Sequence, residues 1–237
     1  MDTDTYSVTI TMSAATVQAL VDSNYTLYGL RGVESSDAAA MPLVWRKTQA
    51  YSLSTKLSYT GALEAYTSMS ALAPGTQVDV GFAIPIAAGQ LLTVDGPGGS
   101  GAVTADGVAG GVSILNATNR EFTCGVCEDL APVCAMPLYG NGLQLVVPVP
   151  KIFLMFATTP IAPATAIALS TGPGVLIDQT TAEHCAVSFD INDGWSPDGQ
   201  PYAEPMPPRT SLVPLLAAYS RTLAVRLAVA AVDAAGT

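Results

Sequence analysis

The sequence predicts an all-β protein: an antiparallel β-sandwich, jelly-roll-like, with one short N-terminal helix and a C-terminal extension. Three observations carry that expectation. Apolar residues alternate with Ser and Thr at period 2 through most of residues 6–191, the pattern of a half-buried strand. Gly, Pro and Asn punctuate the pattern into about ten short strands. Charge is scarce, with nine basic and 19 acidic residues among 237 and a single histidine, His184.

The elements follow in order. Tyr6-Ser7-Val8-Thr9-Ile10-Thr11-Met12 alternates cleanly and opens the fold as a strand. Ser13 stands where an N-cap belongs, so a helix is expected over 14–21. Strand-type residues return over 25–33. Residues 49–60 form the clearest amphipathic strand, with Tyr51, Leu53, Leu57 and Tyr59 on one face and Ser52, Ser54, Lys56, Ser58 and Thr60 on the other. Further strands are expected over 77–86, with Pro85 at an edge or bulge, and over 90–94. Seven glycines crowd residues 95–111, which read as a surface loop or a pair of tight turns. Strands resume over 112–115, 120–126, 143–149 and 151–158. Within the last of these, Ile152-Phe153-Leu154-Met155-Phe156 has no polar alternation and is expected to be buried on both faces. Residues 175–178 and 185–191 complete the set.

Residues 1–196 therefore read as one β-sandwich domain. Five prolines then fall within 197–210, the composition of an extended linker. Beyond them, residues 211–237 form an apolar arm whose spacing fits a strand and a helix equally well. Such an arm must pack on its own domain or on a second subunit, and a homo-oligomer is expected.

The net charge of −10 excludes several partners. The basic residues form no stripe, so nucleic acid, which is bound by displacing counterions with clustered Lys and Arg, is excluded. Anionic lipid headgroups are poor partners for the same reason. No run of apolar residues is long enough for a transmembrane segment. The start, Met1-Asp2-Thr3-Asp4, lacks the basic and apolar regions of a signal peptide, so the expected location is cytoplasmic, or exported without a classical leader.

Motifs with chemistry are few. Cys124 and Cys127 form a C-x-x-C, followed by Cys134 and, far along the chain, His184-Cys185. A second C-x-x-C is missing and the flanks are apolar, so unliganded buried thiols are expected and no metal is called. His184 would have to serve any Ser–His or Cys–His site, yet no G-x-S-x-G presents a serine. Gly96-Pro97-Gly98-Gly99-Ser100-Gly101 matches a dinucleotide fingerprint in letters only, because no helical period follows it. No cofactor is called.

Two stretches are site-like. Asp190-Ile191-Asn192-Asp193-Gly194-Trp195 ends a strand in a turn that gathers carboxylate, amide and indole, groups that grip a sugar by stacking and hydrogen bonding. Its bland counterpart is an Asx-turn with Trp195 capping the core. Trp45-Arg46-Lys47 puts the other indole beside two of the few basic residues, a combination favoured at interaction surfaces. The candidate ligand-binding residues are thus Asp190, Asn192, Asp193, Trp195, Trp45 and Arg46, with no catalytic residue assigned. They point to a non-enzymatic, lectin-like binding protein, an oligomeric sandwich that takes a glycan or a small apolar ligand through its loops. Two alternatives stand beside it. One is a membrane-active, pore-forming protein, built on the amphipathic stretch 49–60. The other is a cofactor-free cyclase or isomerase, which would need an apolar cavity holding a desolvated carboxylate or tyrosine.

Overall fold

The computed structural model describes residues 6–235, and side chains as far as residue 229. Strand β1 (Tyr6–Thr11) runs into helix α1 (Ala14–Asp22), where the Ser13 hydroxyl accepts the Thr16 N–H at 3.1 Å. That cap satisfies one of the free donors of the first turn. Then come β2 (Thr26–Ser35), β3 (Met41–Pro42), β4 (Val44–Thr48), β5 (Ser54–Tyr59), β6 (Leu63–Ser68) and β7 (Phe82–Pro85). The chain continues through β8 (Leu91–Val94), β9 (Gly101–Thr104), β10 (Val112–Asn116), β11 (Phe122–Glu128), β12 (Ala131–Pro132) and β13 (Cys134–Leu138). The long β14 (Leu143–Ala157) leads to β15 (Gly174–Asp178), β16 (His184–Asp190), β17 (Gly194–Ser196) and β18 (Ala203–Met206). Helix α2 (Val213–Leu216), β19 (Ala217–Tyr219) and helix α3 (Arg221–Ala235) close the described chain.

The protein is mostly β, 49% strand against 10% helix, and the strands form three sheets. A four-stranded sheet has the order β17-β16-β1-β5, and a six-stranded sheet the order β3-β13-β11-β6-β7 with β12 added to β11. The nine-stranded sheet runs β18-β15-β14-β10-β8-β9, with β2 beside β14 and carrying β4 and β19. The expectation of purely antiparallel pairing is corrected: β1 with β16, β8 with β10, and β2 with β19 are parallel. Period-2 alternation is the same in either direction, and long stretches of chain separate these partners, so nothing local sets the direction.

β14 organises the largest sheet. Gly32 of β2 pairs with Val149 and Arg31 with Ile152, so Pro150 and Lys151 have no partner on β2. The two strands expected over 143–149 and 151–158 are therefore one strand with a bulge, placed where proline cannot donate to the ladder. Gly32 is required opposite it, since a Cβ there would lie 2.9 Å from side-chain atoms of both Lys151 and Val149. Beyond the bulge, Ile152, Leu154 and Phe156 enter the main core, while Phe153 and Met155 enter a second apolar cluster with Tyr28 and Leu30. The strand is buried on both faces, as its unbroken apolar run requires.

Two further expectations change. Residues 95–111 are not loop throughout, because β9 forms there and pairs antiparallel with β8. Residues 197–210 do not form a free linker, because β18 lies within them and pairs with β15 at the sheet edge, where Pro205 is tolerated. The arm beyond combines helix and strand. Leu212 and Leu216 are fully buried in the second cluster, and β19 adds to β2.

Candidate functional site

The turn 190–194 joins β16 to β17. Asp190 Oδ1 accepts the backbone N–H of Asn192 at 2.8 Å and of Asp193 at 3.4 Å, while Oδ2 accepts the Thr16 hydroxyl at 2.8 Å. The Asn192 N–H bond, followed by that from Thr16, holds the Asp190 carboxyl below the usual aspartate range. This is an Asx-turn tied to α1. Asn192 and Asp193 are exposed. Trp195 is buried, stacked on Phe156 at 5.5 Å between ring centres and tilted against Phe189 at 5.0 Å, and its indole N–H donates to the Pro173 carbonyl. The turn thus presents amide and carboxylate to solvent, while its indole faces the core.

Trp45 is also buried. Its indole N–H donates to the Glu128 carbonyl at 2.9 Å, and its ring meets the edge of Tyr59. Arg46 lies across the Trp45 ring at 4.2 Å, donates to the Ser58 carbonyl at 3.0 Å and pairs with Asp129 at 3.3 Å. The same stretch opens onto a cleft of about 540 Å³ lined by residues of β2, β4, β5 and the loop after β14. Leu27, Leu57 and Pro163 supply apolar wall, and Arg46, Lys47 and Lys56 supply three positive charges. Lys47 and Lys56 are exposed, and among the described residues no carboxylate lies within 4.0 Å of either.

A buried polar network that sequence reasoning missed lies behind Trp45. Arg31 of β2 is 3% exposed. Its Nε donates to Glu128 Oε2 at 2.5 Å and its Nη2 to Oε1 at 3.2 Å, so the pair is bidentate. Nη1 donates to the Tyr59 hydroxyl at 2.6 Å and to the Lys151 carbonyl at 3.1 Å. The Tyr59 hydroxyl donates to Gln179 Oε1, and the Gln179 amide donates to the carbonyls of Ser7 and Glu183. Burial pushes the Tyr59 phenol well above its usual range, against the opposing pull of Arg31. Arg31, Glu128 and Tyr59 come from the nine-, six- and four-stranded sheets respectively, so the network stands where all three meet. The bulge frees the Lys151 carbonyl for it. Glu128 is the buried last residue of β11. A cavity of about 180 Å³ adjoins the network, bounded by Arg31, Glu128, Tyr6, Leu63 and Pro148.

Cys124, Cys127, Cys134 and Cys185 are all free and buried. Burial pushes Cys127 and Cys134 up to about 12 and Cys185 up to about 11, and holds Cys124 well above the usual thiol range. Such thiols stay protonated near neutrality and are weak nucleophiles. His184 is exposed on β16, with its Nδ1 3.1 Å from the Ser7 hydroxyl on the parallel neighbour β1. Among the described residues no carboxylate lies within salt-bridge distance of this ring. No three His, Cys, Asp or Glu side chains gather as a metal-ligand group, and no helix is long and apolar enough to cross a membrane, again among the described residues.

No protein-family model matches this chain, and no curated protein or solved structure matches it either.

Proposed function

We propose that this protein is a non-enzymatic binding module whose ligand is a small molecule seated in the cleft beside Trp45, Arg46 and Lys47. The carrying observation is the make-up of that cleft. About 540 Å³ of space combines apolar wall from Leu27, Leu57 and Pro163 with polar groups at its rim. Ligand sites in proteins have this size and this mixture. Both indoles are buried, so little supports stacking on a sugar, and a ligand with an apolar body fits better than a glycan.

The alternatives have narrower support. The stretch 49–60 contributes only the six-residue β5, shorter than a membrane-spanning strand. An enzyme reading draws on the 180 Å³ cavity beside Glu128, but both oxygens of that carboxylate are held by Arg31. For the scaffold, one apolar cluster that takes Ile10, Leu154 and Val126 from the three sheets favours sandwich-like layering. Exposed Tyr219, Val225 and Val229 on β19 and α3 favour self-association, and shortening the chain to Ser220, which deletes Val225 and Val229, is expected to weaken it, as read by light scattering.

A thermal-shift screen of small molecules tests the binding function. Ligands that raise the midpoint of the wild type are expected to lose their effect in Ala50→Trp, where an indole from the exposed rim fills the cleft. Ligands that stabilise both proteins equally would place binding elsewhere and defeat the proposal.

A further inference from the structure

We infer that the ligand of this cleft is an amphipathic anion, with an apolar body against Leu27, Leu57 and Pro163 and a negatively charged head held between Lys47 and Lys56. This rests on the binding function proposed above and adds the chemistry of the head group.

The distribution of positive charge carries the argument. The chain has nine basic residues against 19 acidic ones, and three of the nine line one cleft. Outside the cleft Arg31 is enclosed with Glu128 and Lys151 lies 3.8 Å from Asp178, while Arg120, Arg209, Arg221 and Arg226 are dispersed singly with no carboxylate within 4.0 Å among the described residues. Within the cleft, Arg46 is neutralised by Asp129 and fixed by Ser58 and the Trp45 ring. It forms a wall rather than a free charge. Lys47 and Lys56 differ, having no carboxylate within 4.0 Å among the described residues.

These two ammonium groups come from different sheets, Lys47 on β4 of the nine-stranded and Lys56 on β5 of the four-stranded. Their convergence on one cleft is therefore a product of tertiary structure and not of a local basic run. Two like charges facing one cavity repel, and a bound anion turns that repulsion into attraction to a shared counter-charge. A lysine carries a compact charge on a flexible stem, suited to closing on a head group of either flat or tetrahedral shape. Carboxylate, sulfonate and phosphate monoester heads share the required chemistry. The apolar wall excludes a bare inorganic anion as the best fit, because its area would be left facing water.

The test uses the full chain and a matched pair of fluorescent probes. 1-Anilinonaphthalene-8-sulfonate and N-phenyl-1-naphthylamine share a ring system and differ by the sulfonate. The wild type is expected to bind the sulfonate about tenfold more tightly than the neutral amine, and Lys47→Gln/Lys56→Gln to remove most of that preference. Ala50→Trp is expected to abolish binding of both. Displacement of the sulfonate by dodecanoate and by dodecyl phosphate then separates carboxylate from phosphate heads, and displacement by either supports the inference. Equal affinity for the two probes, or a double variant that keeps the preference, overturns the anionic head while leaving the cleft as a binding site. Binding that survives Ala50→Trp, or no binding of either probe, overturns the site itself.

Discussion

Arg31 holds a full charge at a position 3% exposed, and its surroundings explain how. Four of its five N–H groups are taken by Glu128, Tyr59 and the Lys151 carbonyl. The guanidinium carbon lies over the Tyr59 ring, 3.8 Å from its centre, which adds a cation–π contact in a buried site. A buried pair of this kind adds little net stability relative to apolar residues, but removing one member leaves an unsolvated charge. Glu128→Ala is accordingly expected to lower the unfolding free energy by about 3–5 kcal/mol. The double change Arg31→Met/Glu128→Leu is expected to recover much of that loss. Urea titration of the three proteins measures both effects, and a single variant within about 1 kcal/mol of wild type would mean that the charge finds water or another partner.

Among the elements, the β11–β12 hairpin stands out by its conformation. Its two turn residues, Asp129 and Leu130, have φ of 51° and 65°, the left-handed pair that a two-residue turn demands and that Asn-Gly usually fills. Asp129 is anchored by the Thr60 hydroxyl and by Arg46. Leu130 is 82% exposed and has little packing to offset a backbone that bulky side chains resist. Leu130→Gly is expected to stabilise the protein by about 0.5–1 kcal/mol, the relief of strain exceeding the added freedom of the unfolded chain. A lower denaturant midpoint would show instead that the leucine makes a contact that offsets its strain. Elements differ in how far they can be read from sequence. Helix α1 and the doubly buried Ile152–Phe156 run were legible because a cap and a continuous apolar run are local signals. The bulge in β14 was half legible, since Pro148 and Pro150 mark a break but not that the strand resumes in the same sheet. At the candidate site, Arg46 and Lys47 were legible beside Trp45, whereas Lys56 read as one polar position of an alternating strand. Glu128 lies 97 positions from Arg31, and a partner at that distance leaves no periodic trace.

For the whole molecule, the decisive fact is that the C-terminal segment completes the second apolar cluster. The nine-stranded sheet buries Leu27 and Val33 of β2 on one face and Tyr28 and Leu30 on the other. The second face is covered in part by Leu212 and Leu216, both fully buried, and β19 pairs with Val33, Glu34 and Ser35 along β2. Each buried leucine contributes on the order of 1.5–3 kcal/mol, and the sheet beneath would face water without them. β18 likewise protects β15, whose outer edge would otherwise offer unpaired backbone groups to another chain. Helix α3 is placed differently. Leu223 is buried while Val225 and Val229 are exposed, so two of its described apolar side chains lie outside the core. Two truncations separate these roles. A chain ending at Ser220 keeps β18, α2 and β19 and is expected to unfold cooperatively, near the wild-type midpoint. A chain ending at Ser196 loses all three and is expected to aggregate, or to melt without a cooperative transition, because Tyr28, Leu30, Phe153 and Met155 lose their cover. Circular dichroism melts and light scattering read both results. A cooperative, monodisperse 1–196 fragment would show that the first 196 residues fold alone and that the C-terminal segment only decorates them.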